Sequence, residues 1–531
     1  MHVMTTTADP AFHFSFISSS LQPVIAMIAK CVLFVTLSYL HYYHISTLFE
    51  NDRFFSHLSS LEREMTFRTE AGFYYSYYKT IVRAPSFVEG WRSLVNDTGT
   101  EYPSHINALQ RFNVYPEVLV GGLFRAFREV VGQLGVMQHF KTCYGISRGK
   151  GQEPVQSCVG SGDESIFYVN FIFSLAGLQM GFLFLLGCYL SDNVLGGILA
   201  CSSFFFNHGE CSRVQWIPPL RESFSFPFLL LQSLALSAIL KRGATRTKRV
   251  CLALATVCFV LPWQFSQFVL LTQTLSLFGC YTLSFLKAQE LTPVLDAVFI
   301  GYTIGTVLQF LNTMLLSSLY VSSYLAFKTV IFLNSRSRVS NRAVQFVRDV
   351  VVFGAVAGCF KMASAAALQL SDDAHIFNIL MSKFTDFRDF HTLLYICGKA
   401  FDFIEMRTFY KCVLTLLIPT TVAVLVRLTW VFGKQLVTGV TETEPEPRET
   451  PAETKPSKKH PKKGVSKKSA PAAEVDTVSH NYLTYHVFQF GCYFLIAVIV
   501  MRLKLFMTPY MCLLSSLVAS NFVMPQTEKS R

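Results

Sequence analysis

The run IFYVNFIFSLAGLQMGFLFLLGCYL at residues 166–190 carries no charged side chain and is long enough to cross a hydrocarbon core as a helix. Working outward from it, eleven further apolar stretches follow the same logic: 24–45, 194–206, 227–240, 250–262, 264–286, 294–311, 314–333, 350–367, 409–432, 481–501 and 504–523. Those at 194–206, 227–240 and 250–262 are brief, and read as tilted, extended into polar flanks, or re-entrant. The first run, from Val24 to Ile45, has no basic region before it and no small-residue cleavage site after it, so it reads as an uncleaved span. Composition agrees. Of 531 residues, 51% are hydrophobic and only 15% charged, and mean hydropathy is +0.38. A chain so short of charge cannot present a soluble surface. The reading is an all-α multispanning membrane protein with about 12 transmembrane segments.

The formal charge is +12, which on a soluble chain would raise the question of nucleic acid. Its position answers that question. If residues 1–23 form a cytosolic tail and every segment crosses, the loops after even-numbered segments are cytosolic. Loop 241–249 then holds five cations and no acid, and loop 334–349 holds Arg336, Arg338, Arg342 and Arg348 against Asp349. The linker 433–480 has nine cations against seven acids. Together these carry +10 of the +12 on one side, as the positive-inside rule requires. No nucleic-acid partner is expected. Membrane lipid is.

The spans thus divide into a domain at 24–432 and two further segments at 481–523, with a cytosolic tail at 524–531. The linker is rich in Pro, Lys, Glu, Ala and Thr and reads as a disordered, solvated cytosolic loop. The opposite, lumenal side holds loops 47–165, 207–226 and 368–408. The first contains the sequon Asn96-Asp97-Thr98, a candidate glycosylation site, and Cys143 and Cys158, a candidate disulfide.

No phosphate loop, dinucleotide fingerprint, His-Glu-x-x-His or Cys-x-x-Cys motif occurs. Polar residues gather instead at the lumenal mouths of the spans. In Leu61-Glu62-Arg63-Glu64-Met65-Thr66-Phe67-Arg68-Thr69-Glu70, helical spacing puts Glu62, Arg63, Phe67 and Glu70 on one broad face. That face reads either as a carboxylate tuned to act as a base or as an interfacial helix with ordinary ion pairs. The stretch Asn207 to Ser223 packs His208, Glu210, Arg213, Arg221 and Glu222 around a Pro-Pro break. Its arginines suit a phosphate, or simply pair with Glu210 and Glu222. His208, Glu210 and Cys211 are too crowded for a zinc site, and no metal is expected. Pro262-Trp263-Gln264-Phe265 reads as an interfacial anchor. Asp372-Asp373-Ala374-His375 through His391 reads as a solvated loop or a cation site.

These strings also carry a resemblance. Phe49-Glu50-Asn51-Asp52-Arg53, the 61–70 string with Gly72-Phe73-Tyr74-Tyr75-Ser76-Tyr77-Tyr78-Lys79 after it, Asn207 to Phe224, and Asp372-Asp373-Ala374-His375-Ile376-Phe377 resemble the dumpy-nineteen family, from about residue 34 onward. The resemblance implies a GT-C glycosyltransferase fold in the endoplasmic reticulum membrane, with the inner nuclear membrane as a second location. It implies transfer of mannose from dolichyl-phosphate mannose to C2 of tryptophan in Trp-x-x-Trp segments of secretory proteins such as thrombospondin-type repeats and cytokine receptors. No cofactor is implied beyond that donor.

Indole C2 is a weak nucleophile, so such a reaction needs a stabilised leaving group and a base for the proton lost on rearomatisation. By resemblance, Glu70 is the favoured base, with Glu62, Glu64 and Asp52 behind it. Arg213, Arg221 and His208 are the candidates for the lipid phosphate, and Tyr74, Tyr75 and Tyr78 for the acceptor indoles. Family members have thirteen spans and a lumenal C-terminal domain. The expectation here is a chain lacking both, which keeps a second reading open: a non-catalytic anchoring protein of the endoplasmic reticulum or nuclear envelope.

Overall fold

The computed structural model describes residues 14–337, 339–368, 378, 381–387, 390, 393, 398–438 and 480–524. The chain is an all-α membrane protein. Every one of the twelve apolar stretches is occupied by a helix. Among the described residues, eight helices are long and apolar enough to cross a membrane by length and composition, where the sequence suggests about twelve crossings. The helices Val194–Phe206, Arg246–Val260, Ser266–Thr282 and Lys504–Ser515 are shorter. The brief run at 227–240 gains its length from its polar flanks, as Arg221–Arg242.

Helices are the expected solution, because a backbone in lipid must satisfy its own hydrogen bonds. Their starts are set by side chains that accept from the first free N–H groups. Asp163 caps Glu164–Ser191 through Ser165 N (3.1 Å) and Ile166 N (3.3 Å). Asn193, Thr245 and Ser318 cap the helices that follow them. The first helix begins at Phe14, inside the region read as a tail, and Leu417–Thr438 runs into the region read as linker. The rest of that linker, 439–479, lies outside the described residues, as do Asp372 to Phe377 and His391.

The connections sort into two sets by their hydrogen bonds. In one, Asn113 donates to Leu261 O (3.2 Å), Gln110 to Phe310 O (3.1 Å), Arg53 to Trp216 O (3.1 Å), and Met501 N to Asp402 O (2.8 Å). In the other, Lys241 binds Asp192 (2.6 Å), and Asn481 donates to Phe285 O (3.1 Å). The first set joins loops after odd-numbered apolar segments, and the second those after even-numbered ones. The polar site belongs to the first set, and the cationic loop 241–249 to the second. Close helix crossing relies on small residues. A Cβ at Gly197 would lie 2.4 Å from Cys188 Sγ and 2.6 Å from Phe184 O, so only glycine lets Val194–Phe206 lie against Glu164–Ser191.

The first long loop folds into short helices and one hairpin, β1 (Thr142–Ile146) and β2 (Val155–Val159), in which Cys143 and Cys158 face each other and are bonded. Arg63, fully buried, holds this hairpin by donating to Cys158 O, Phe55 O and Ser56 O. A buried ion pair then joins the loop to the membrane helices. Glu117, in Tyr115–Gln133, accepts from both terminal nitrogens of Arg221 and from Tyr168 Oη (2.8 Å), while Arg221 also donates to Asn113 O (3.0 Å). Removing one partner of a buried pair strands the other charge. Glu117→Ala should therefore cost about 3–5 kcal/mol and lower Tm in detergent. Glu101→Ala, which breaks the exposed pair with Arg111, should cost less than about 1 kcal/mol. Equal Tm shifts would contradict this role for Glu117.

Candidate functional site

Glu70 opens the helix Glu70–Arg83 instead of continuing the one before it. The preceding helix, Ser60–Thr66, ends in the turn 67–69, so the single broad face expected for Glu62, Arg63, Phe67 and Glu70 does not form. The chain leaves the first helix at Phe67 (φ −79°, ψ 95°), and Thr69 then adopts φ 51°, which no helix continues through. The Glu70 carboxylate remains half exposed, 3.7 Å from Arg502 Nη2. Arg502 in turn lies 3.5 Å from Glu222, whose other oxygen is 3.5 Å from Arg213 Nη1. Four charges on four separate elements thus form a chain, Glu70–Arg502–Glu222–Arg213. Tyr74, one turn after Glu70, lies with its ring 3.6 Å from the Arg221 guanidinium carbon.

Two cavities meet at Arg502. The larger, of about 730 Å³, has Glu70, Tyr74, Glu222 and Arg502 at its polar end. The rest of its wall is mostly apolar, with Trp263, Phe268, Leu275, Leu319, Ile496 and Phe506, and it also carries Arg111, Asn113, Arg221, Gln264 and Thr272. Leu275 and Leu319 are solvent-exposed side chains of this wall. Trp263, expected as an interfacial anchor, stacks on Phe506 at 5.7 Å and forms part of this wall. The smaller cavity, of about 330 Å³, is basic: Arg213, Arg407, Lys411, Arg502 and Lys504 line it against Glu210 and Glu405.

The remaining sequence candidates lie elsewhere. Glu62 caps its own helix, and hydrogen bonds from the Ser59 hydroxyl and N–H hold its carboxyl below the usual range. Glu64 pairs with Lys79 (2.6 Å) and Arg83 (3.4 Å), and Asp52 with Arg53 (3.0 Å). Of these four carboxylates, Glu70 is the one that lines the large cavity. Arg221 is committed to Glu117. His208 is buried beside His41 and His44, and burial followed by His44 pushes its imidazole down to about 4. It is therefore neutral at physiological pH and supplies no cation. Tyr75 and Tyr78 are buried against Phe67 and Tyr168, which leaves Tyr74 as the tyrosine at the cavity. Asn96 is exposed at the end of Phe87–Val95, with His105 3.2 Å away.

Arg502, Lys504 and Lys411 were not singled out in the sequence. A signal existed: Met501-Arg502-Leu503-Lys504 sets two cations in the turn between the last two apolar runs, on the side where parity also puts 207–226. Glu210 receives Lys411 and Lys504, each at 2.6 Å, with Thr408 at 3.1 Å. Burial alone would raise its carboxyl, but the two ammonium groups outweigh it and hold the value near about 2. This lies below the ordinary 4.5, so the clamp's stabilisation is complete above pH 4.5 and fades as pH falls toward 2. The Tm gap between the parent and Glu210→Gln should be constant above pH 4.5 and shrink below it. A gap already lost at pH 6 would contradict the clamp.

A profile of the family described as "Dpy19: Q-cell neuroblast polarisation" matches residues 35–529. The chain is 41% identical over 486 residues to the protein C-mannosyl-transferase DPY19L1 of Rattus norvegicus, covering 91% of this chain and 61% of that one. It is 39% identical over 493 residues to the probable C-mannosyltransferase DPY19L2 of Homo sapiens, covering 92% and 61%. Identity to the C-mannosyltransferase dpy-19 of Caenorhabditis elegans is 37% over 506 residues, covering 95% and 69%. The chain thus spans 61% of the length of the rat protein. With the match running through both loops that build the site and through Arg502, the chain belongs to the Dpy19 family.

Proposed function

We propose that this chain transfers mannose from dolichyl-phosphate mannose to C2 of tryptophan in secretory polypeptides, on the lumenal side of the endoplasmic reticulum membrane, within a twelve-crossing GT-C-type bundle. The observation that carries the reading is the position of Arg502, between the Glu70 carboxylate and Glu222 at the junction of an apolar and a basic cavity. A lipid-linked phosphosugar needs that combination: an apolar route for its chain and fixed cations for its phosphate. The names of the relatives support the same chemistry.

In this mechanism Arg502 and Arg213 receive the phosphate, with Lys504 and Arg407 adding to the positive field of the basic cavity. The bond between the mannose anomeric carbon and the phosphate oxygen breaks as indole C2 bonds to that carbon. Dolichyl phosphate leaves with the electron pair, and the two arginines stabilise the charge that develops on it. The C2 proton is then lost to Glu70, restoring the indole. Tyr74 offers a ring for the indole to pack on. Glu222 holds the two arginines in place through one carboxylate. Arg221 and Glu117 fix Tyr74 from behind and take no part in the chemistry.

The test is expression in cells lacking C-mannosylation, with mass spectrometry of a Trp-x-x-Trp reporter beside an active control enzyme. The parent chain should add one hexose to tryptophan. Glu70→Gln should reduce transfer by about 10²- to 10⁴-fold, the usual worth of a general base. Arg502→Gln should weaken donor binding as well as turnover. No hexose from the parent would sink the enzymatic reading in favour of an anchoring role. Full activity of Glu70→Gln would remove Glu70 as the base.

A further inference from the structure

We infer that the turn Arg68–Thr69–Glu70–Ala71 is the positioning element for Glu70, and that its glycine-type backbone at Thr69 and its closure over Gly72 set the carboxylate opposite Arg502. The inference rests on the assignment of Glu70 as the base and goes beyond it to what aims that base. Two independent observations carry it.

The first is backbone conformation. Thr69 has φ 51° and ψ −124°, and Ala71 N donates to Arg68 O at 3.1 Å. Those are the values and the closing bond of a type II′ turn, whose first central position belongs to glycine. A β-branched residue there is an outlier that persists only where its surroundings over-determine it. The turn stops one helix and starts the next at once: Phe67 N closes on Glu64 O (3.1 Å), and Phe73 N opens on Thr69 O (3.2 Å). Glu70 therefore stands at the head of a new axis that leads into the cavity. On an uninterrupted helix from Ser60 it would share the face of Glu62.

The second is a close approach. A Cβ on Gly72 would lie 2.6 Å from Phe67 O, a backbone atom that cannot swing away. Phe67 itself is fixed by stacking on Tyr75 at 4.6 Å. The reversal at 67–72 thus leaves no room for a side chain at residue 72. A small cavity of about 130 Å³ is lined by residues 66–69 and Ala71 on one side and by the Trp216–Pro218 segment on the other. A loosened turn would have room to move there.

Two variants break the turn and one preserves it. Thr69→Pro fixes φ near −65° and excludes the geometry. Gly72→Ala drives a methyl into Phe67 O. Thr69→Gly is the conservative variant and keeps the conformation accessible. With the detergent-solubilised chain, dolichyl-phosphate mannose and a Trp-x-x-Trp peptide, the two breaking variants should lower kcat by about 10²-fold, the cost of a misplacement of about 1 Å. The donor KM should stay within error of the parent, and Thr69→Gly should remain active.

A second arm needs no turnover. With Glu70→Cys and Arg502→Cys together, a short bis-maleimide should join residues 70 and 502, read as a cross-linked peptide by mass spectrometry. The same link should form with Thr69→Gly added and be lost with Thr69→Pro or Gly72→Ala, in protein that keeps its Cys143–Cys158 bond. If the parent transfers no mannose, the reaction assignment fails while the cross-link still decides the turn. Undiminished cross-linking, or undiminished kcat, in both breaking variants would overturn the inference.

Discussion

The structure depends on one buried ion pair. Glu117 and Arg221 are almost wholly withdrawn from solvent, and each comes from a different part of the molecule: a helix of the first long loop and the first residue of a membrane helix. Charges in such a setting need most of the donors and acceptors around them answered. Here Tyr168, Asn113 O and the Tyr74 ring supply most of the answers. Because Tyr74 lies one turn after Glu70, anchoring Arg221 also fixes where Glu70 faces. The pair that contributes no chemistry is the one that lets chemistry occur at a defined place.

The charges that face open space are arranged differently. Arg502 is shared between two carboxylates at 3.5–3.7 Å, and none of these contacts is short. A cation held this loosely is positioned but not consumed, so it can be recruited by an anion of better geometry. Lys411 and Lys504, by contrast, grip Glu210 at 2.6 Å and form a stable floor to the basic cavity. Loose pairs beside tight ones suit a site that receives and releases a phosphate, since its field must be in place before the ligand arrives.

Much of this was legible in the sequence. Apolar runs located each of the eight helices long and apolar enough to cross a membrane among the described residues, and the parity of the loops agrees with the two sets of loop-to-loop hydrogen bonds. The site was only partly legible. Glu70 lines the large cavity and Arg213 the basic one, but Tyr75 and Tyr78 share their helix with Tyr74 and point into the core. Adjacent tyrosines in Tyr-Tyr-Ser-Tyr-Tyr cannot be sorted by pattern, because their fates depend on Tyr168 and Phe67 packing against one side. Helical spacing failed at Thr69, where tertiary constraints impose a conformation that threonine does not favour. Arg502 was missed for a third reason: its partners are 280 and more residues away in sequence, and a turn of four residues gives no periodicity to read.

The proposed function requires the cavity ending at Arg502 to receive a polyprenyl phosphate. Photolabelling of the detergent-solubilised chain with a polyprenyl phosphate carrying a diazirine in its first isoprene units tests it most directly. Adducts should fall on 263–275 and 496–506, competed by unmodified dolichyl phosphate and diminished by Arg502→Gln. Adducts spread over the lipid-facing surfaces of residues 24–45 and 342–367, with no competition, would contradict it.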